Sequence, residues 1–123
     1  MAIFTARLRG LDSLQKRMLA APADKQKRVQ AEINRSTLNI DRIAKRLAPV
    51  NKDPRVVGGR LRSSIRFEIT NQGNTGSVFT DVEYAAFQEF GTSRMMAQPF
   101  LGPAAREEQP KFLKRVEKIL KGL

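Results

Sequence analysis

The 123-residue chain contains no cysteine and no histidine. The first absence removes disulfides and thiolate chemistry, and the second removes every nucleophile–histidine pair. Together they remove the commonest ligands of zinc and related metals. A cysteine-free chain also suits synthesis in a reducing cytoplasm. No apolar run approaches the ~20 residues that span a bilayer, so no transmembrane segment is expected, and no membrane is counted among the expected partners. The opening Met-Ala-Ile-Phe-Thr-Ala-Arg has no basic stretch leading into a long apolar one and does not read as a secretory leader. Acidic side chains are few: 12 stand against 23 Lys and Arg, a net charge of +11. The excess is lopsided. Residues 1–66 carry 16 Lys and Arg against five Asp and Glu, while residues 67–123 carry seven of each. A field of that kind attracts nucleic acid, acidic protein surfaces or anionic lipid, or serves solubility alone.

What is present reads as one globular domain, 1–123, with 41% hydrophobic residues to build a core. Residues 2–9 read as a short strand with Ile3 and Leu8. Asp12 or Ser13 then caps a short helix carrying Leu14, Met18 and Leu19, which Ala21-Pro22 ends. The clearest element is a helix over 23–48. Val29, Ile33, Thr37, Ile40, Ala44 and Leu47 recur at steps of three and four and so share one face, while most basic residues lie elsewhere around the cylinder. Leu38 and Ile43 lie off that stripe, and Pro49 stops the helix. Residues 49–59 form a loop. Residues 61–82 are expected to be a β-hairpin, with Leu61, Ile65, Phe67 and Ile69 in its first strand, a turn at 71–76 and a return strand from Ser77 to Val82. Tyr84, Phe87 and Phe90, at steps of three, allow one or two helical turns or an irregular bend. Pro103 is placed to open a final helix with the stripe Phe112, Leu113, Val116, Ile119, Leu120 and Leu123, and Pro110 predicts a kink or restart in it. The fold class is therefore α+β: a small antiparallel sheet, from the hairpin plus strand 2–9 or another segment, packed against the long helix and the C-terminal helix.

The chemistry available is sparse. Glu83 and Glu89 are six apart, and the adjacent Glu107 and Glu108 point apart on a helix. Gly58-Gly59 lacks the frame of a phosphate loop. No enzyme, cofactor or metal site is expected. The basic run Arg60-Leu61-Arg62-Ser63-Ser64-Ile65-Arg66, read as a strand, puts Arg60, Arg62 and Arg66 on one face with Ser64. Three guanidiniums so placed are candidates for contact with phosphates or an acidic partner. The aromatics Phe79, Tyr84, Phe87, Phe90 and Phe100 lie outside the basic half, which favours electrostatic contact over base readout.

Three blocks carry a resemblance. They are Gly59, Leu61, Arg62 and Ser64; then Tyr84, Ala85, Glu89, Gly91 and Thr92; then Met95 or Met96, Ala97, Pro99, Phe100, Leu101, Pro103 and Ala104. In that order the chain resembles the tail-completion, or tail-to-head joining, minor tail proteins of long-tailed bacteriophages. Gly10-Leu11-Asp12 and Ala48-Pro49 fit the same layout, whereas Val50–Gly58 makes a longer loop than is usual there. The resemblance implies a structural virion protein: a ring subunit, hexameric on assembly, that joins the head connector or stopper to the tail tube around a DNA-containing lumen. It implies a place at the head–tail junction after synthesis in the host cytoplasm, with sequence-blind DNA contact at most. Within the blocks, Gly91 permits an angle or an approach that a Cβ forbids. Glu89 is expected to accept backbone amides or to pair with Arg62, and Pro99 and Pro103 to bracket Phe100-Leu101; outside the blocks, the Val50–Gly58 loop is the candidate for ordering on docking. The alternative function is a small basic nucleic-acid-binding module.

Overall fold

A computed structural model describes residues 4–7, 12–49 and 59–122. Along the chain come β1 (Phe4–Arg7), α1 (Asp12–Leu19), α2 (Ala23–Leu47), α3 (Arg60–Ser64), β2 (Arg66–Thr70), β3 (Thr75–Thr80), α4 (Ala85–Phe90) and α5 (Leu101–Lys121). The Val50–Gly58 loop, Ile3, Leu8, Gly10-Leu11 and Leu123, like the side chains of Asp12, Ser13 and Leu14, lie outside the described residues.

α2 is a helix because its apolar positions repeat at helical spacing between two prolines. Pro22 precedes its first turn. At its end the Ala48 amide still bonds Ala44 O at 2.8 Å, but Ala48 itself is extended, as a residue before proline must be. Its buried face holds Val29, Ile33, Thr37, Ile40 and Ala44, as the periodicity predicts, together with Ser36 and Asp41; Leu47 is exposed instead. α5 runs antiparallel to α2, with Arg115 level with Glu32 and Glu108 level with Asn39. The sheet has the order β1-β3-β2, all antiparallel, with Phe4 opposite Thr80 and Arg66 opposite Phe79. β3 therefore sits in the middle and lies on α2. Two apolar clusters result. One gathers Ile40, Ala44, Leu61, Ile65, Val78, Ala85, Phe100, Leu101 and Ala104; the other joins Met18, Val29 and Ile33 to Phe112, Val116 and Ile119.

The α+β class stands, and several local expectations change. Residues 60–64 are helical, so Arg60, Arg62 and Arg66 do not alternate along one strand. Leu61 and Ile65 are buried while Ser63 between them is exposed, which suits a helical turn, since a strand would put all three on one face. Ser63 and Ser64 also turn their hydroxyls onto the Arg60 and Leu61 carbonyls. The hairpin is shorter than 61–82. Asn71 and Gln72 adopt left-handed φ values of 54° and 57°, which closes a tight turn and starts β3 at Thr75. Residues 85–90 take the first of the two forms expected there, a short helix. α5 begins at Leu101, two residues before Pro103, and runs on through Pro110 without interruption. Pro110 and Arg106 are both on the solvent side, so water can satisfy the carbonyl that the missing amide leaves free.

β3 meets α2 closely enough to require a particular residue. A methyl group at Gly76 would run into the Thr37 hydroxyl, which is itself bonded to the Ile33 carbonyl at 2.7 Å. Gly76→Ala is expected to lower stability by about 1–3 kcal/mol through overpacking, read as the urea midpoint. Adding Thr37→Ala recovers part of the loss; an unchanged midpoint for Gly76→Ala would show that the two elements do not meet there.

Candidate functional site

The three sequence blocks come together in space. Leu61 from the first, Ala85 from the second and Phe100, Leu101 and Ala104 from the third share one buried cluster, with Tyr84 packed against it. Ser64 reaches Thr80, hydroxyl to hydroxyl at 2.6 Å, and the same Thr80 oxygen accepts the Val82 amide. The Arg60 guanidinium lies 5.7 Å from the centre of the Tyr84 ring. Arg66 sits 5.6 Å from the centre of the Phe79 ring and donates to Asp81 at 3.1 Å. Arg62 is exposed on α3. The three candidate arginines are therefore not a single row: two are engaged by aromatic or acidic neighbours.

Glu89 takes the first of its two expected roles. It is 7% exposed and turned to the start of α5. Its Oε1 accepts the amides of Phe100 and Leu101 at 3.0 and 2.9 Å, and its Oε2 accepts Gly102 at 3.1 Å. A helix leaves its first four N–H groups unbonded. Here three go to one carboxylate, and the fourth position is Pro103, which has no N–H at all. The negative charge also complements the positive end of the helix. Arg62 makes no ion pair with Glu89.

Between α4 and α5 the chain folds into a tight turn. Thr92 and Met95 exchange backbone bonds at 2.9 and 3.3 Å, and Gln98 bonds back to Gln88 at 2.7 Å. Gly91 has φ 76°, and a Cβ there would lie 2.8 Å from the Ala97 nitrogen and 2.9 Å from the Met95 oxygen. Both reasons offered by the sequence, backbone angle and close approach, apply at once. This cross-bonded turn carries apolar side chains outward: Phe87 is 55% exposed, Phe90 71% and Met96 84%, with Met95 nearby. Pro99 is exposed while Phe100 is fully buried, so the second residue anchors the turn.

A second polar constellation escaped the sequence reading. Glu108, 2% exposed, accepts from Arg115 at 2.6 Å, Asn39 at 3.1 Å and Ser36 at 3.1 Å. Arg115 also donates to Ser36 at 2.7 Å and to Glu32 at 2.6 Å. Burial pushes the Glu108 carboxyl up, but the hydrogen bonds from Arg115, Asn39 and Ser36 and the charge of Arg115 outweigh it. The group is held below its ordinary value. The available signal was position: Glu108 stands four residues before Phe112, on the apolar stripe itself. Among the described residues no cluster of acidic side chains is arranged to hold a metal ion, and no helix is long and apolar enough to cross a membrane.

No family model and no solved structure matches the chain. Over 58 residues it is 36% identical to Uncharacterized protein MJ0331 of Methanocaldococcus jannaschii, which is 46% of this chain and 43% of that one. The chain thus spans less than half the length of that relative.

Two substitutions test the polar contacts. Glu89→Gln sets an amide N–H against a backbone N–H at the start of α5 and should cost about 1–3 kcal/mol in a denaturation series, while Arg62→Gln leaves the midpoint in place. Equal effects would contradict the cap. For Glu108, an unfolded glutamate titrates near ~4.3, and the folded value is lower. Its contribution is complete above the unfolded value and is lost as pH falls through the folded one. Stability should therefore fall below about pH 4, and Glu108→Gln should flatten that fall while lowering stability at pH 7. Superimposable acid profiles for the two proteins would exclude the network as the cause.

Proposed function

We infer that this chain is a structural protein of virion assembly: a tail-completion, head–tail joining adaptor that sits as one subunit of a ring between head connector and tail tube. The observation that carries the reading is the α4–α5 turn. The residues of the resemblance build it, Glu89 and Gly91 fix its shape, and it turns Phe87, Met95 and Met96 to the outside. Apolar side chains on a turn held by its own hydrogen bonds offer a surface for another protein. In a ring each modest contact is repeated by symmetry, so a small patch suffices. The partners are then other copies of the chain, with connector or stopper and tail-tube proteins on either side. The place of action is the head–tail junction, and no chemical step is assigned to the chain. A small basic nucleic-acid-binding module is the second reading. It has the exposed arginines of α2 in its favour, but the exposed aromatics lie apart from them.

The test is electron microscopy of particles assembled without the chain. Filled heads and finished tails that stay separate are expected; joined, fully infectious particles would contradict the reading. In the same system, Met96→Glu supplied in trans should fail to restore joining although its thermal unfolding matches the parent, since an exposed substitution shifts stability by only about 0.5 kcal/mol.

A further inference from the structure

Four arginines of the basic first half line one edge of the α2–α5 pair. Arg28, Arg35 and Arg42 follow one another at seven residues, Arg46 comes four later, and all four are exposed. Seven residues are nearly two helical turns. Successive guanidiniums are therefore based about 10.5 Å apart and drift only about 20° around the cylinder. From Arg28 to Arg46 the row is about 27 Å long. α5 widens it. The contacts of Arg46 with Glu107 at 3.8 Å and of Arg115 with Glu32 at 2.6 Å put the Glu107 edge of α5 beside this edge of α2. Lys111 and Lys118, four and eleven residues after Glu107, share that edge and are exposed. The neighbouring acids are Asp24, Glu107 and Glu32. Glu32 holds Arg115 at 2.6 Å through one oxygen and faces Arg35 at the looser distance of 3.9 Å through the other. The cations outnumber them two to one.

We propose that this edge binds the phosphate backbone of duplex DNA. A guanidinium fork matches phosphate oxygens, and a straight row about 27 Å long runs beside about eight base-pair steps at 3.4 Å each. An acidic protein is the lesser fit. A protein interface needs an apolar centre, and among the described residues the large exposed apolar side chains lie on α1, at the last residue of α2, on β2 and around the α4–α5 turn, none on this edge. Among the described residues the edge also carries no aromatic ring for stacking on unpaired bases, so the contact is with backbone and blind to sequence. Arg60 and Arg66, held against Tyr84 and Asp81, offer less uncommitted charge. The inference gives a site to the second reading above, on which it rests, and does not rest on the virion role.

The test measures binding of the full chain to a mixed-sequence 24-bp duplex by fluorescence anisotropy from 50 to 200 mM salt. Four neutralised phosphates give a log–log slope of about −3.6, which weakens binding about 150-fold over that range. Arg35→Gln with Arg42→Gln should flatten the slope by about 1.8, whereas Arg60→Gln with Arg62→Gln should leave it in place. Circular dichroism checks that both variants stay folded, as exposed substitutions should. No binding at 50 mM salt, or equal flattening by the two pairs, would overturn the proposal. Displacement of the duplex by poly-glutamate at equal charge concentration would overturn it in favour of an acidic protein. None of these failures touches the joining experiment, which reads a different surface.

Discussion

The carboxylate of Glu89 on the opening amides of α5 is the contact on which the rest of this molecule depends. It satisfies Phe100, Leu101 and Gly102 where water cannot easily do so, and Pro103 removes the one remaining donor. Because Glu89 belongs to α4, the same contact fixes α4 to α5 and closes the turn between them. Phe100 and Leu101 are then drawn into the cluster that also takes Leu61 from α3 and Val78 from the central strand. A short helix of six residues would not hold its place alone. Its position here comes from a charge seated on another helix, and that is what gives the outward apolar side chains a firm base.

The α2–α5 pair rests on a different kind of contact. Most of its interface is apolar, through Val29, Ile33, Phe112 and Val116, and such contacts tolerate sliding. Arg115 does not. Only one register sets it across Glu32, Ser36 and Glu108 together, and a shift by one turn would strand a buried carboxylate. The register matters for the outer edge as well, since it decides which lysines of α5 stand beside the arginines of α2. A buried polar network and an exposed basic row are thus two sides of one packing arrangement.

How much of this could be read in advance depended on the period. The long helix and the last one announce themselves because their apolar residues repeat over many turns, enough to outweigh an interior proline at 110 that lies on the solvent side. Residues 60–70 did not, because Leu61-Ile65 and Phe67-Ile69 obey different periods within one short run, and each run alone fits either structure. Charge was the other blind spot. Glu108 and Ser36 sit on apolar stripes, where a polar residue looks like an interruption until its partner on another helix is known. Glu89 was readable as an amide acceptor or an ion-pair partner, and only the placement of α5 decides between them. The basic row was present in the sequence as Arg28, Arg35 and Arg42, but its meaning needed the edge of α5 beside it.

On the function proposed above, the chain acts by fitting its surface to neighbouring subunits through the α4–α5 turn. Cryo-electron microscopy of intact particles tests it most directly. It predicts density for this fold repeated around the head–tail junction, with Phe87 and Met96 buried against an adjacent subunit. Particles whose junction contains no such fold, or in which that turn projects into solvent, would contradict it.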